Sequence, residues 1–380
     1  MKISGDWIDH PGTQALCAVL TEAGYQALFV GGCVRNALLG VAVADIDVAT
    51  DARPEIVSDL AETAGFHVVP TGIEHGTVTV IAQGLAHEVT TFRRDVETDG
   101  RRAVVAFSTD VAEDAARRDL TMNALYARAD GAVLDPLGGL PDLMARRVRF
   151  VGEPEARIRE DYLRILRFFR FHAVYGDPAA GIDAEGLAAC AANADGIEGL
   201  SRERIGAEMR KLLDARDPAP AVATMAQAGI LARVLPGSDA KALSVLVHLE
   251  GDLAPRWQRR LAILGGIDPA DALRLSRADL GSITAVRNYV GSAMTPAALG
   301  WKLGVEQAAD TVLCRAALFE SLPPEHWQSE IARGVASTIP VTAADLMPAL
   351  QGPALGKKLR EIEARWLASD LYLRKSDLLA

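Results

Sequence analysis

In "ADIDVAT", Asp45 and Asp47 are separated by a single apolar residue. Along an extended strand, residues two apart project to the same face. Carboxylates held that close repel one another, and one pKa rises unless a cation lies between them. Oxygen ligands with coordination positions to spare suit Mg²⁺, which takes one or two carboxylates and completes its shell with substrate phosphates. The same pair is also what two exposed aspartates on an edge strand would look like. Gly31 and Gly32, upstream, follow a strand-like "YQALFV" and open the helix-like "CVRNALLG". Free backbone N–H groups at such a turn hold phosphate, and the missing side chains let it approach closely. Arg35, one helical turn in, is placed to pair with phosphate oxygens. A triphosphate cradle beside paired carboxylates points to metal-assisted nucleotidyl transfer, in which metal ions activate an attacking hydroxyl and stabilise departing pyrophosphate. Glu88, in "HEVTTFR", is either a third carboxylate of that site or a cross-strand partner for Arg93 or Arg94.

These residues need a scaffold, and the first third of the chain supplies alternating signals for one. "TQALCAVLTEAG" reads as an amphipathic helix, and "ADIDVAT" as a strand of alternating side chains. "RPEIVSDLAETAG" begins with a proline suited to a first helical turn and ends at Gly65. "FHVVP", "GTVTVIAQG" and "LAHEVTTFR" read as strands, with "AQG" as a hairpin turn. "RRDVETDGRRAVVAFS" reads as a mobile polar loop over 93–106. From Glu153 onward nearly every segment has helical character. The expected organisation is α+β: a small mixed sheet with helices over residues 1–150, a helical neck over 151–215 and a helical body and tail over 216–380.

Composition fits a multi-module protein: 380 residues, 49% of them apolar, more than one ordinary domain uses. The four cysteines are scattered without a CxxC pair, so neither a disulfide framework nor a zinc site is expected. No apolar run approaches the ~20 residues of a membrane helix. The start "MKISGDWIDHPGT" has no signal-peptide apolar region, so the expected location is cytoplasmic, with no membrane partner. No "HD" dipeptide follows the head, so no fused metal phosphohydrolase is expected. The formal net charge of −10 argues against a uniformly basic nucleic-acid binder.

In order, "GGCVRNALLG", "DIDVAT", "HGTVTV", "EVTTFR", "RRDLTMNALY", "DPLGGLPDL", "REDYLRILRFFRF" and "SRERIGAEM" resemble the class II tRNA nucleotidyltransferases. That family comprises the bacterial CCA-adding enzymes and the bacterial poly(A) polymerases. The resemblance spans about Phe29 to Leu213; beyond it only helical character matches. It implies a polymerase-β-like catalytic head followed by an all-α neck, body and tail. It also implies addition of C, C and A to the tRNA 3′ end from CTP and ATP, without a nucleic-acid template. Carried over motif by motif, Asp45 and Asp47 would bind Mg²⁺, with Glu88 as a third carboxylate. Gly31, Gly32 and Arg35 would lie at the nucleotide's phosphates. Arg118, Asp119 and Asn123 would hold triphosphate and ribose, while Asp161, Arg164, Arg167 and Arg170 would read the base. The chain departs from the family's G-G-x-V-R-D at its last position, which here is Asn36.

The base-reading assignment has a chemical rationale. On one helix, Asp161 and Arg164 would be neighbours three residues apart. A carboxylate accepts and a guanidinium donates. C and A both present an amino donor beside a ring-nitrogen acceptor, so one acceptor/donor pair accommodates both and rejects G and U. The alternative is a solvated ion-pair helix in which Glu160 and Arg164 form an i,i+4 pair worth about 0.3–0.5 kcal/mol.

Between Leu143 and Phe171, Arg146, Arg147, Arg149, Arg157, Arg159, Arg164, Arg167 and Arg170 outnumber Glu153, Glu155, Glu160 and Asp161 and make a basic lane suited to a tRNA acceptor stem. Arg256, Arg259 and Arg260, with Lys241 upstream, form a second basic group, either part of that lane or a solvated helix face. Within the family, a poly(A) polymerase or an enzyme adding only CC or only A shares these motifs. The chain has no strongly basic segment after "ARWLASDLYLRKSDLLA", and it keeps the full 93–106 loop; both favour CCA addition. A non-catalytic RNA-binding relative is the reading from another class, with Asn36 as its only support.

Overall fold

The strand signals of the first third come together in one mixed sheet. The structure is a computed structural model describing residues 1–73, 76–99 and 102–380, without the side chains of 71, 95–99 and 102–105. Its strands are β1 (Leu28–Val30), β2 (Asp47–Thr50), β3 (His67–Gly72), β4 (Thr77–Ala82), β5 (Leu85–Thr91), β6 (Arg93–Asp99), β7 (Arg102–Phe107), β8 (Tyr126–Arg128) and β9 (Val133–Leu134). Seven of them run in the order β3-β4-β5-β2-β1-β8-β9. Helices α1 (Asp6–Asp9), α2 (Pro11–Glu22), α3 (Gly32–Leu38), α4 (Pro54–Thr63), α5 (Val111–Ala116) and α6 (Leu140–Met144) accompany the sheet, and α7 (Pro154–Glu160) and α8 (Leu163–Tyr175) follow it. This is the expected α+β head followed by helices.

Local chemistry explains the register. In β4, "TVTVIA" alternates, burying Val78, Val80 and Ala82. Gln83 and Gly84, both at positive φ, turn the chain directly into β5, the two-residue hairpin whose twist matches its strands. α4 starts with Pro54 in its first turn, and Gly65 follows its end at φ 82°. It packs on β3, β4 and β5, making the crossover that lets β5 return parallel to β2. Phe92, Ala115, Ala124 and Tyr126 close the core against Leu28 and Val30.

Three expectations are corrected. The loop expected over 93–106 is a hairpin: β6 and β7 pair antiparallel from Arg93↔Phe107 to Asp99↔Arg102. Its tip, residues 100–101, lies outside the described residues, as does His75 of "HGTVTV". The overlooked signal was "DG" before "AVVAF", a turn dipeptide followed by a β-branched apolar run.

The neck is not one helix through "REDYLRILRFFRF". α7 ends at Glu160, and Asp161, at φ −157° and ψ 105°, is extended between α7 and α8. The Tyr162 ring sits where a Cβ on Gly196 would be, so a tertiary contact fixes the break.

The tail arginines are neither a solvated face nor a basic lane. The chain folds as two compact units, Met1–Leu200 with Ala228–Arg233, and Ser201–Gln227 with Val234–Ala380. In the second, helical unit, Arg259 and Arg260 on the helix Trp257–Leu264 are 2% and 1% exposed. Arg260 pairs with Glu250 at 2.6 Å and donates to the carbonyls of Leu213 (2.6 Å), Ala215 (2.5 Å) and Arg216 (3.1 Å). Arg259 lies 3.1 Å from Glu250 and 3.3 Å from Asp310. Buried charges persist only when paired, and these two cations meet two buried carboxylates. Lys241 alone of that group is well exposed.

Candidate active site

β2 and β5 bring the acidic residues together. Their parallel register sets Asp47 beside Glu88, while Val48 and Val89, the next pair, are buried. Asp47 is the first residue of β2, and Asp45 lies just before it, after which comes buried Ile46. The expected two-apart strand geometry is therefore met only at its end: Asp45 is exposed and Asp47 half-buried. Burial, then the charge of Glu88, pushes the Asp47 carboxyl up to about 6; Asp45 adds to the rise, while Arg118 and Arg35 pull against it. Three carboxylates and two guanidiniums thus share one electrostatic neighbourhood.

Gly31 and Gly32 form the turn from β1 into α3. At φ 68°, Gly31 takes a conformation that favours glycine, and its N–H bonds the carbonyl of Leu125 at 3.1 Å. A Cβ there would come within 3.3 Å of Arg118 Nη1, placing that guanidinium at the turn. Cys33, a buried thiol, donates to the Asp47 carbonyl (3.7 Å), tying α3 to β2. With seven residues, α3 has little dipole, so the guanidiniums are the main positive charges at this turn. Asp114 anchors Arg118: it accepts from Arg118 Nη2 and Arg117 Nε, each at 3.0 Å, and from the Tyr126 hydroxyl at 2.7 Å. Arg118 Nε also donates to that hydroxyl at 3.0 Å.

Arg35 is buried. Its Nη1 donates to Asn123 Oδ1 (2.5 Å), its Nε and Nη2 to Asn36 Oδ1 (3.2 and 2.9 Å), and Nη2 also to the Tyr175 hydroxyl (2.8 Å). Asn123 Nδ2 donates to Asp119 Oδ1 at 3.0 Å, and Asp119 Oδ2 accepts from Arg167 Nε at 2.6 Å. Burial alone would raise the Asp119 carboxyl, but Arg167 and the Asn123 amide hold it below its ordinary value. Arg35, Asn123, Asp119 and Arg167 thus form one continuous chain from the Gly-Gly turn to α8. Phe171 packs among guanidiniums: Arg170, Arg35 and Arg167 lie 4.3, 5.1 and 5.3 Å from its centroid.

Asp161 and Arg164 are not set side by side on one helix. Asp161 Oδ1 accepts from Leu163 N at 3.1 Å, at the entry to α8. Arg164 Nη1 reaches Glu160 (2.6 Å) and the Arg157 carbonyl (3.0 Å), and its Nη2 the Arg117 carbonyl (3.0 Å). The Glu160–Arg164 pair is therefore present but largely buried, joining α7 to α8, and the Arg164 bond to the Arg117 carbonyl fastens α8 to the "RRD" segment. Asp114, Phe171 and Tyr175 escaped sequence reasoning; the i,i+4 spacings Asp114/Arg118 and Phe171/Tyr175 were the available signals.

The donor set fits a divalent cation. The carboxylate oxygens are hard, and a cation beside them would offset the burial and the Glu88 charge that raise the Asp47 carboxyl. Among the described residues no group of three or more His, Cys, Asp or Glu side chains is placed to hold a metal ion, so an ion here would rest on at most two protein carboxylates.

The sheet, its carboxylates and the guanidinium-flanked turn define a nucleotidyltransferase head. A family model described as "Poly A polymerase head domain" matches residues 27–149, and one described as "Probable RNA and SrmB- binding site of polymerase A" matches 181–241. A CCA-adding enzyme of Lacticaseibacillus paracasei is 35% identical, over 96% of this chain and 94% of that protein. Human mitochondrial CCA tRNA nucleotidyltransferase 1 is 43% identical over 53% of this chain and 47% of its own, so the match spans about half the length of that relative. The crystal structure of Bacillus stearothermophilus CCA-adding enzyme in complex with CTP superposes with a TM-score of 0.74 at 29% identity, covering 94% of this chain and 93% of that one. The chain belongs to the family of class II tRNA nucleotidyltransferases and bacterial poly(A) polymerases. Membership of a nucleotidyltransferase family suggests a divalent-metal requirement.

Proposed function

We propose that the protein adds C, C and A to the 3′ end of tRNA, taking CTP and ATP and releasing pyrophosphate. The observation that carries this reading is the convergence of Asp45, Asp47 and Glu88 beside a Gly-Gly turn flanked by Arg35 and Arg118. The near full-length likeness to the Lacticaseibacillus CCA-adding enzyme supports CCA addition over poly(A) synthesis.

Asp45 and Asp47 would hold Mg²⁺, with Glu88 adding negative charge beside them. When bound, Mg²⁺ makes the 3′-hydroxyl more acidic and screens the triphosphate. The chain's own groups do the rest. Arg35 and Arg118 receive the β- and γ-phosphates, Asp119 and Asn123 face the ribose, and Arg167 and Arg170 beside Phe171 border the base. Asp161 reads the base edge together with Arg164, once Arg164 turns from Glu160. Residues 1–150 act as the catalytic head, 151–215 as the nucleotide-reading neck, and 216–380 as the body and tail that meet the acceptor stem, in the cytoplasm. Among the described residues no helix is long and apolar enough to cross a membrane.

The test is single-nucleotide extension. tRNA transcripts lacking CCA, ending in C, or ending in CC are incubated with Mg²⁺ and CTP, ATP or both. Two C's, then one A, then a stop at CCA is the expected result. A ladder of A's on unrelated RNA would move the protein to poly(A) synthesis, and no extension would refute the reading.

A further inference from the structure

Buried guanidinium groups usually sit against a carboxylate, because an unpaired charge in the interior is costly. Among the described residues, Arg35 does not. It is 7% exposed, and its hydrogen-bond acceptors are the amide oxygens of Asn36 and Asn123 and the hydroxyl of Tyr175, all neutral. Burial pulls its pKa below the ordinary arginine value. Asn36, next to Arg35 in the chain, turns only one of its side-chain polar atoms to the guanidinium. Its Oδ1 is shared by Nε and Nη2, while its Nδ2 donates to the Ala42 carbonyl at 3.1 Å. A carboxylate would offer one oxygen to each nitrogen. Here the second fastening of Nη2 comes from Tyr175, the last residue of α8 and 140 residues away in sequence. Its hydroxyl also approaches Asn36 Oδ1 (3.3 Å), and its ring centre lies 4.2 Å from the Arg35 guanidinium carbon.

We propose that Tyr175 is a positioning residue for the nucleoside triphosphate: it fixes Arg35 from the helix after the head, replacing the hold an aspartate at position 36 would give. This rests on the reading that Arg35 contacts the triphosphate. The hydrogen-bonding clamp is neutral and adds no negative charge of its own beside Arg35, whose nearest carboxylate influence is Asp119. Because phosphate is common to CTP and ATP, Tyr175 affects both nucleotides alike and takes no part in base choice.

The test is a two-residue cycle in the extension assay, with KM and kcat measured for CTP and for ATP. Tyr175→Phe keeps the ring and removes the hydroxyl. It should raise KM about three- to tenfold for both nucleotides with kcat within twofold, the scale of one lost hydrogen bond of ordinary net strength. In an Asn36→Asp protein the same substitution should change KM by less than about twofold, since the carboxylate then holds both nitrogens. Equal KM increases in the two backgrounds, an unchanged KM, or a change confined to one nucleotide would each overturn the proposal. Thermal midpoints of all four proteins separate loss of fold from loss of positioning: a lowered midpoint with normal KM means Tyr175 is only structural. Wild-type protein that extends no primer overturns the functional reading, and this inference with it.

Discussion

Replacing Asp114 with asparagine removes one charge from the interior and leaves the shape nearly unchanged. Asp114 is 1% exposed, and its two oxygens accept from Arg117, Arg118, the Tyr126 hydroxyl and the backbone N–H of Arg93. Burial would raise its pKa, yet Arg118 and Arg117 hold it at about 2, against an ordinary 3.8. A depression of that size corresponds to about 2.5 kcal/mol of stability. Asparagine also turns an NH₂ toward donors on one side, so a total loss of about 2–4 kcal/mol at pH 7 is expected. Because the folded pKa is depressed, the contribution is present above the unfolded value near 3.8 and is lost as pH falls through about 2. The gap between wild type and Asp114→Asn should hold from pH 7 to 5 and narrow by about 1 kcal/mol by pH 3. Urea unfolding measures it, using the fluorescence of Trp7, which lies in the first unit against Phe29 with ring centroids 5.0 Å apart. A gap under about 1 kcal/mol at pH 7, or one that does not narrow by pH 3, would refute this account of Asp114.

Other expectations concern the carboxylates. Asp45→Ala should abolish nucleotide incorporation while moving stability by less than about 0.5 kcal/mol, since Asp45 is exposed; a melted variant, or one that still turns over, would remove Asp45 from the metal assignment. Asp161→Ala should relax discrimination among the four NTPs and cost about 1 kcal/mol from the lost bond to Leu163 N; unchanged selectivity in competitive extension would reject the base-edge role. In the second unit, Glu250→Gln should cost about 3–5 kcal/mol in urea unfolding by leaving Arg259 and Arg260 short of a buried carboxylate. A loss below about 1 kcal/mol would mean that this network does not hold the unit together.

What could be read in advance followed from local rules. The "DIDVAT" and "HEVTTFR" runs predicted strands, and their pairing set Glu88 beside Asp47. The Pro54 start and Gly65 stop of α4 were visible because capping chemistry is local. What escaped depends on distant partners. The tail arginines looked like surface because charge in a sequence reads as solvated; Asp310, which helps bury Arg259, lies far along the chain. The break at Asp161 carries no proline or glycine, and it follows from Tyr162 seating on Gly196. Tyr175 looked like one more aromatic on a helix until Arg35 arrived beneath it. The β6–β7 hairpin was missed for a different reason: its charged composition outweighed a turn dipeptide in plain view.

The guanidinium of Arg260 has a consequence in time. It caps the carbonyls of Leu213, Ala215 and Arg216 from 44 to 47 residues further along the chain. On the ribosome, the Leu213 carbonyl that ends the helix Arg202–Leu213, and those of Ala215 and Arg216 just beyond it, therefore emerge without this cap and wait for the segment that will cover them. At about 5–20 residues per second that interval is roughly 2–9 s. Until then these carbonyls stay hydrated, and the neighbouring Arg259 waits longer still, for Asp310, so the interior of the second unit closes in steps that follow the order of the chain.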